Sequence, residues 1–337
     1  MKFRAPIATA LMALVLSSSA AFAETKIRIA HGNPSFGLLQ MFVAEAGGFM
    51  KEEGLEAEYI KVGAGAKTIA AIVSESADVA VTSASMSLYS QAEGVDIVTF
   101  GSLISGYHTP IVYSKAWMEK NNLTPESPFA DRLAALKGAR IATTGPGGGD
   151  QIIRFYAKKA GIDADRDMQI LHFGTDLATY LVGVDADRID GFAIGAPNSL
   201  IIKREKGGDL ALNPPKGEAE ELVGFAYVSA LATRKWLDAN PDTEKALARA
   251  YQKALDAIQN PNQDNSLRDL IHKTYFDNVD DVIFEEAWQE AKLTSATSFT
   301  IQPDAMQKVA NFVMMFDDVK LTPEIIAKSF VEVKPEG

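Results

Sequence analysis

Apolar and polar positions along this chain alternate in a strand-then-helix rhythm. Lys26-Ile27-Arg28-Ile29-Ala30 alternates polar and apolar, the period-two pattern of a short strand. Gly37 to Ala46 is apolar at helical spacing, and Gly47-Gly48 predicts its stop. Glu56 to Lys61 reads as a second strand, Thr68 to Val73 as a helix and Asp78 to Val81 as a third strand. Ser87 to Gln91 reads as a helix and Asp96 to Phe100 as a fourth strand. The rhythm then restarts. Ala139–Thr143, Met168–His172 and Asp190–Ile194 read as strands, interleaved with helices over Asp150–Ala160, Thr175–Val182 and Ser199–Glu205. Such alternation predicts mostly parallel sheets covered by helices on both faces. A weak internal echo links Ser74–Ala80 with Asp185–Gly191: a helix end, a polar turn, then an Asp opening an apolar strand.

The last third changes character. Asn240-Pro241 is a helix start with Pro at the first position, and Leu247, Tyr251, Leu255 and Ile258 follow at helical spacing. Further helices are predicted near Leu267–Tyr275, Asp281–Ala291 and Pro303–Phe312, their apolar stripes reading as core faces. Two apolar extended segments, Thr109–Ser114 and Gly224–Ala230, are natural crossovers between two lobes. Gly207–Gly217 reads as a surface loop. The predicted division is lobe 1 over 24–112 plus 226–337 and lobe 2 over 113–225.

Composition narrows the function classes. Lys2 and Arg4, an apolar run from Ile7 to Val15 and the ending Ala21-Phe22-Ala23 form the pattern of a secretory signal peptide over residues 1–23. That run falls short of the roughly 20 apolar residues a spanning helix needs. The expected location is the periplasm. Without Lys2 and Arg4 the chain carries 31 basic and 44 acidic residues, a net charge of −13. An acidic body argues against nucleic-acid binding, which depends on Lys and Arg at phosphates. The absence of cysteine removes disulfides, thiolate nucleophiles and cysteine metal sites. His31, His108, His172 and His272 include no pair at helical ligand spacing, so a zinc centre is not expected. Neither an activated nucleophile nor a paired acid–base set is visible, and the reading is of a non-enzyme without a cofactor.

Candidate chemistry lies in the loops after the strands, where open α/β sheets bind ligands. The first lobe offers Asn33 and Phe36, Gly63 and Ala64, Thr82, Ser83 and Ser85, with His108 near the expected hinge. The second offers Gly147, Gly148, Gly149 and Asp150, then Pro197 and Asn198. Backbone amides at helix starts suit an anion, but each glycine taken singly reads first as a tight turn, and only the set of loops together points to a shared cleft. The Gly147–Gly149 run has neither the Lys-Ser/Thr of a P-loop nor a dinucleotide-binding spacing. Asp150 has two readings, a helix-start acid or a partner for a ligand amine.

Together these features resemble the periplasmic binding proteins for nitrate, sulfonate, taurine and thiamine-precursor uptake, the NMT1-like family. The resemblance rests on Ile27-Arg28-Ile29, on Gly48-Phe49-Met50-Lys51-Glu52-Glu53-Gly54-Leu55, and on Ala77-Asp78-Val79-Ala80. Leu136-Lys137-Gly138-Ala139-Arg140-Ile141-Ala142, Lys159-Ala160-Gly161-Ile162 and Arg188-Ile189-Asp190-Gly191-Phe192 complete it, with Pro197 downstream. It covers nearly all of the chain after residue 23. It implies a type II periplasmic binding fold: two α/β lobes joined by two crossover strands, C-terminal helices on lobe 1, and a small ligand between the lobes. The implied partners are that ligand and an inner-membrane ABC permease with its ATPase, the chain acting as a monomer. Gly147–Gly149, followed by Asp150, stands where sulfonate binders of this family usually carry hydroxyl residues, which argues against an alkanesulfonate and for an amino-bearing, aromatic or neutral heterocyclic ligand, within an expected range of sulfonate-, aromatic- or pyrimidine-like molecules. The other reading is a periplasmic sensor subunit of a two-component system.

Overall fold

The computed structural model describes residues 24–32, 34–63, 65–145, 147–260 and 265–335. The expected signal peptide, Asn33 and Ala64 lie outside them. Within them the chain forms β1 (Thr25–His31), β2 (Leu55–Lys61), β3 (Val79–Ser83), β4 (Ile97–Ser102), β5 (Ser105–Gly106) and β6 (Ile111–Tyr113). It continues with β7 (Arg140–Thr143), β8 (Gln169–His172), β9 (Gly191–Ala193), β10 (Asp209–Leu212), β11 (Val223–Ala226) and β12 (Val228–Thr233).

The strands build two lobes on one plan. The first sheet has the order β2-β1-β3-β12-β4 and the second β10-β6-β9-β7-β8. In each, three strands run parallel and a strand returning from elsewhere in the chain joins antiparallel: β12 beside β3, and β6 beside β9. Helices cover both faces of a parallel sheet, so its central strands read as continuous apolar runs. Val79, Ala80 and Val81 in β3, and Ile141 and Ala142 in β7, are at most 1% exposed.

The C-terminal helices cover the first lobe. Leu247, Tyr251, Leu255 and Ile258 are buried on helix Pro241–Gln259, which packs on helix Leu39–Ala46. Phe42 stacks on Tyr275 of helix Ser266–Tyr275 at 4.3 Å. Helix Asp281–Thr294 lies against the turn Phe36–Leu38 and also reaches helix Asn198–Lys206 of the second lobe.

Three sequence expectations are corrected. Gly207–Gly217 is not a bare loop, because Asp209–Leu212 forms β10, an edge strand beside β6. The segment Thr109–Ser114 does not cross between lobes: its strand, β6, pairs with β9 and β10 inside the second sheet. The chain crosses instead at the antiparallel pair β5–β11, where Gly106 faces Val223 and Ser105 faces Ala226. Gly224–Ala230 accordingly splits into the end of β11 and the start of β12. The predicted lobe boundaries at 112/113 and 225/226 fall inside β6 and β11.

Candidate functional site

Loops that follow β1 and β3 in one sheet and β7 and β9 in the other meet at the seam between the lobes. β1 ends at His31, β2 at Lys61 and β3 at Ser83; opposite them β7 ends at Thr143, β8 at His172 and β9 at Ala193. The lobes touch here directly. Phe36 N–H donates to the Ala196 carbonyl at 3.2 Å, and the Gln151 side-chain amide donates to the Tyr89 hydroxyl at 3.4 Å. The two lobes are thus in contact across the cleft.

At its centre stand three rings brought in by the crossover segments. Tyr107 and His108 follow β5, and Tyr227 joins β11 to β12. Tyr107 and Tyr227 pack at 4.2 Å between centroids, and His108 lies 5.0 Å from Tyr227. The Tyr107 hydroxyl donates to the Gly148 carbonyl at 2.5 Å. A methyl group at Gly148 would stand 2.0 Å from the Tyr227 hydroxyl oxygen, so the second lobe closes onto this tyrosine only where residue 148 has no side chain. Burial pushes both phenols up from their ordinary range, and pushes the His108 imidazole down to about 4. All three rings are therefore uncharged at neutral pH.

Around these rings the first lobe supplies hydroxyls. Thr82 is buried, and Ser83 and Ser85 share a 2.9 Å hydrogen bond. The Ala84 N–H between them donates to the Tyr227 carbonyl at 2.8 Å, tying this loop to the crossover. From the second lobe comes helix Gly148–Lys159, capped by Gly147 at φ 137°, a conformation that favours glycine. Gly149 packs over the Thr143 hydroxyl, where a Cβ would lie 1.9 Å away. His108 Nδ1, Thr143 Oγ1 and Ser229 Oγ are buried without a hydrogen-bond partner.

Several candidates thus come together: Thr82, Ser83, Ser85, His108, Gly148 and Gly149. Pro197 and Asn198 start helix Asn198–Lys206 beside the Phe36–Ala196 contact. Gly63 is partly buried after β2, next to Lys67. Phe36 is placed differently from expectation. Its ring is 3% exposed and packs on Phe276 and Phe284 of the C-terminal helices, so it contributes its backbone to the cleft. Asp150 stands in the first turn of helix Gly148–Lys159, as its helix-start reading expected. Its side chain caps nothing; one carboxylate oxygen accepts from Arg154 Nε at 2.7 Å and the other lies 3.0 Å from His172 Nε2. Tyr227 was missed, although its place in an apolar segment flagged as a crossover put it at the seam between lobes.

Residues 35–264, more than half of the chain, match the NMT1/THI5-like family model, and the chain belongs to that family. The protein YtlA of Bacillus subtilis (strain 168) is 24% identical over 273 residues, spanning 80% of this chain and 76% of YtlA. Two solved structures share the fold. The periplasmic aliphatic sulphonate binding protein SsuA from Escherichia coli superposes with a TM-score of 0.70 at 16% identity, covering 93% of this chain and 94% of SsuA. The periplasmic nitrate-binding protein NrtA from Synechocystis PCC 6803 gives 0.69 at 17% identity, covering 91% of this chain and 86% of NrtA. The fold is the type II periplasmic binding protein fold, and these neighbours are binding proteins rather than enzymes. Among the described residues no helix is long and apolar enough to cross a membrane.

Proposed function

We propose that this chain is the periplasmic substrate-binding component of an ABC importer. It closes two lobes over a small organic molecule, sulfonate-, aromatic- or pyrimidine-like, and presents it as a monomer to an inner-membrane permease. We place the hinge at β5 and β11. Lobe 1 then comprises the chain before β5 and after β11, and lobe 2 the chain between them. The observation that carries the reading is the convergence at one seam of hydroxyls from lobe 1, the glycine-capped helix of lobe 2 and rings from both crossover segments. Such a site binds and orients. The carboxylate on that helix, Asp150, is already paired with Arg154 and His172, which supports binding without catalysis.

Hydroxyl donors, uncharged rings and helix-start amides suit a ligand with a planar or anionic polar head on a small organic body. A thermal-shift screen over sulfonates, aromatic acids, nitrate and thiamine-type pyrimidines tests this. A ligand at about 100 times its Kd stabilises the native state by about 2.7 kcal/mol, a rise of several degrees in Tm for a chain of this size. Failure of every compound in the panel to move the transition would remove the reading's support.

A further inference from the structure

His108 sits at the seam in an unusual way: both lobes close on it through glycine. A Cβ at Gly37 of the first lobe would lie 3.1 Å from His108 Nε2, and one at Gly195 of the second would lie 3.3 Å from the same atom. The imidazole is therefore gripped edge-on by two bare backbone segments, one per lobe. The other group facing it is Tyr227, whose ring lies 5.0 Å away and whose phenol burial keeps neutral. The turn Phe36–Leu38 carries no titratable side chain, and neither does the stretch Gly195-Ala196-Pro197. Among the described residues no carboxylate acts on the ring to stabilise an imidazolium, and Nδ1 is buried without a partner.

We propose that His108 is an acid-sensitive wedge, over which the two lobes close only while its imidazole is neutral. This rests on the hinge-closure reading above and adds its regulation. The ring is partly exposed even in this arrangement, with Nδ1 shut in; opening the cleft frees all of it to water, where it titrates as an ordinary histidine, near 6.5, while closure pushes it down, to about 4. The closed form therefore binds fewer protons than the open form between these values. Closure is at full strength above the ordinary histidine range and is lost as pH falls through it. From pH 7.5 to pH 5.0 the closing equilibrium should fall about 25-fold.

The test needs no ligand. The chain has no cysteine, so thiols can be placed at will. Tyr89→Cys with Gln151→Cys puts one thiol on each side of the closed cleft, at positions whose side chains touch across it. A short bismaleimide then traps closed molecules irreversibly, and its capture rate follows the closed population even when that population is small. The rate is measured at pH 7.5 and 5.0 with His108 intact and with His108→Gln. Dividing one by the other cancels the titration of the thiols. The expected result is a rate ratio, His108 over His108→Gln, that drops about 25-fold on acidification, with His108→Asn giving the same drop should the glutamine variant fold poorly. A ratio independent of pH overturns the wedge while leaving hinge closure standing. Capture at neither pH overturns both.

Discussion

At the residue scale, the cleft depends on what Gly148 lacks. A side chain there meets the Tyr227 hydroxyl at 2.0 Å, well inside van der Waals contact. Tyr227 cannot retreat, because its ring is packed on Tyr107 and His108. Gly148→Leu should therefore hold the lobes apart. The expected outcome is a loss of affinity of more than tenfold with circular dichroism unchanged, because position 148 lies on a partly exposed first turn and not in the core of either lobe. Ser83→Ala removes a hydroxyl whose protein partner, Ser85, remains. A neutral hydrogen bond is worth about 1 kcal/mol net, so calorimetry should show a loss of about fivefold. Wild-type affinity in both variants would place the ligand elsewhere. Local sequence brought Gly148, Ser83 and His108 to notice through their loops. It could not show that Tyr227 meets Gly148, since that contact joins two lobes and depends on how the sheets are turned toward each other. Nor could it show that Asp150 is spent on Arg154 and His172, since His172 arrives from β8.

At the scale of elements, the echo visible in the sequence is a repeated clamp. In the first lobe Arg28, on β1, grips Asp78 at the start of β3: Nε and Nη2 donate to its carboxylate at 3.0 and 2.7 Å, and the Arg28 backbone N–H adds a 2.8 Å bond. In the second lobe Arg140, on β7, grips Asp190 ahead of β9 by the same atoms at 2.9, 2.7 and 2.8 Å. The partners are 50 residues apart in both lobes. Even the turn repeats, since Arg28 donates to the Glu75 carbonyl and Arg140 to that of Asp187, both residues in left-handed conformation. Aligning Asp78 with Asp190 moves the echo by one residue from the register read in the sequence. It also matches Arg28-Ile29-Ala30 and Pro34 to Arg140-Ile141-Ala142 and Pro146. The clamps differ in exposure: the Asp190 side chain is 7% exposed and that of Asp78 is 19%. Breaking a buried charged pair costs about 3–5 kcal/mol, and less where water screens it. Asp190→Ala should therefore destabilise more than Asp78→Ala in urea unfolding, and equal losses would refute the burial argument. By contrast, β10 was hidden from the sequence. Its four residues, Asp-Leu-Ala-Leu, sit between Gly207-Gly208 and Pro214-Pro215, so turn-forming neighbours masked a strand too short to show its period.

For the whole molecule, the question is how firmly the closed cleft is held without a ligand. The lobes are joined permanently at β5–β11, where Phe312 of helix Pro303–Met314 packs on Tyr107, on Phe225 of β11 and on Phe155 of the second lobe. That aromatic joint can serve as a bearing, because rings sliding over one another lose little contact. Away from it the polar ties among the described residues are few: the Phe36–Ala196 bond, the long Gln151–Tyr89 bond and two ion pairs from helix Asp281–Thr294 and its cap, Arg204–Asp280 at 2.8 Å and Lys203–Glu286 at 3.4 Å. Arg204 and Asp280 are both more than half exposed, and such pairs contribute at most about 1 kcal/mol each. These ties are comparable to the conformational freedom regained on opening, so the ligand-free protein should spend much of its time open. A ligand that touches both lobes adds contacts available only to the closed form, and that difference is what drives closure. Small-angle scattering should give a ligand-free radius of gyration larger than that of the closed structure, falling when a compound that raises Tm is added. A radius matching the closed structure both with and without that compound would mean the lobes do not hinge, and that the ligand enters by some route other than separation at β5 and β11.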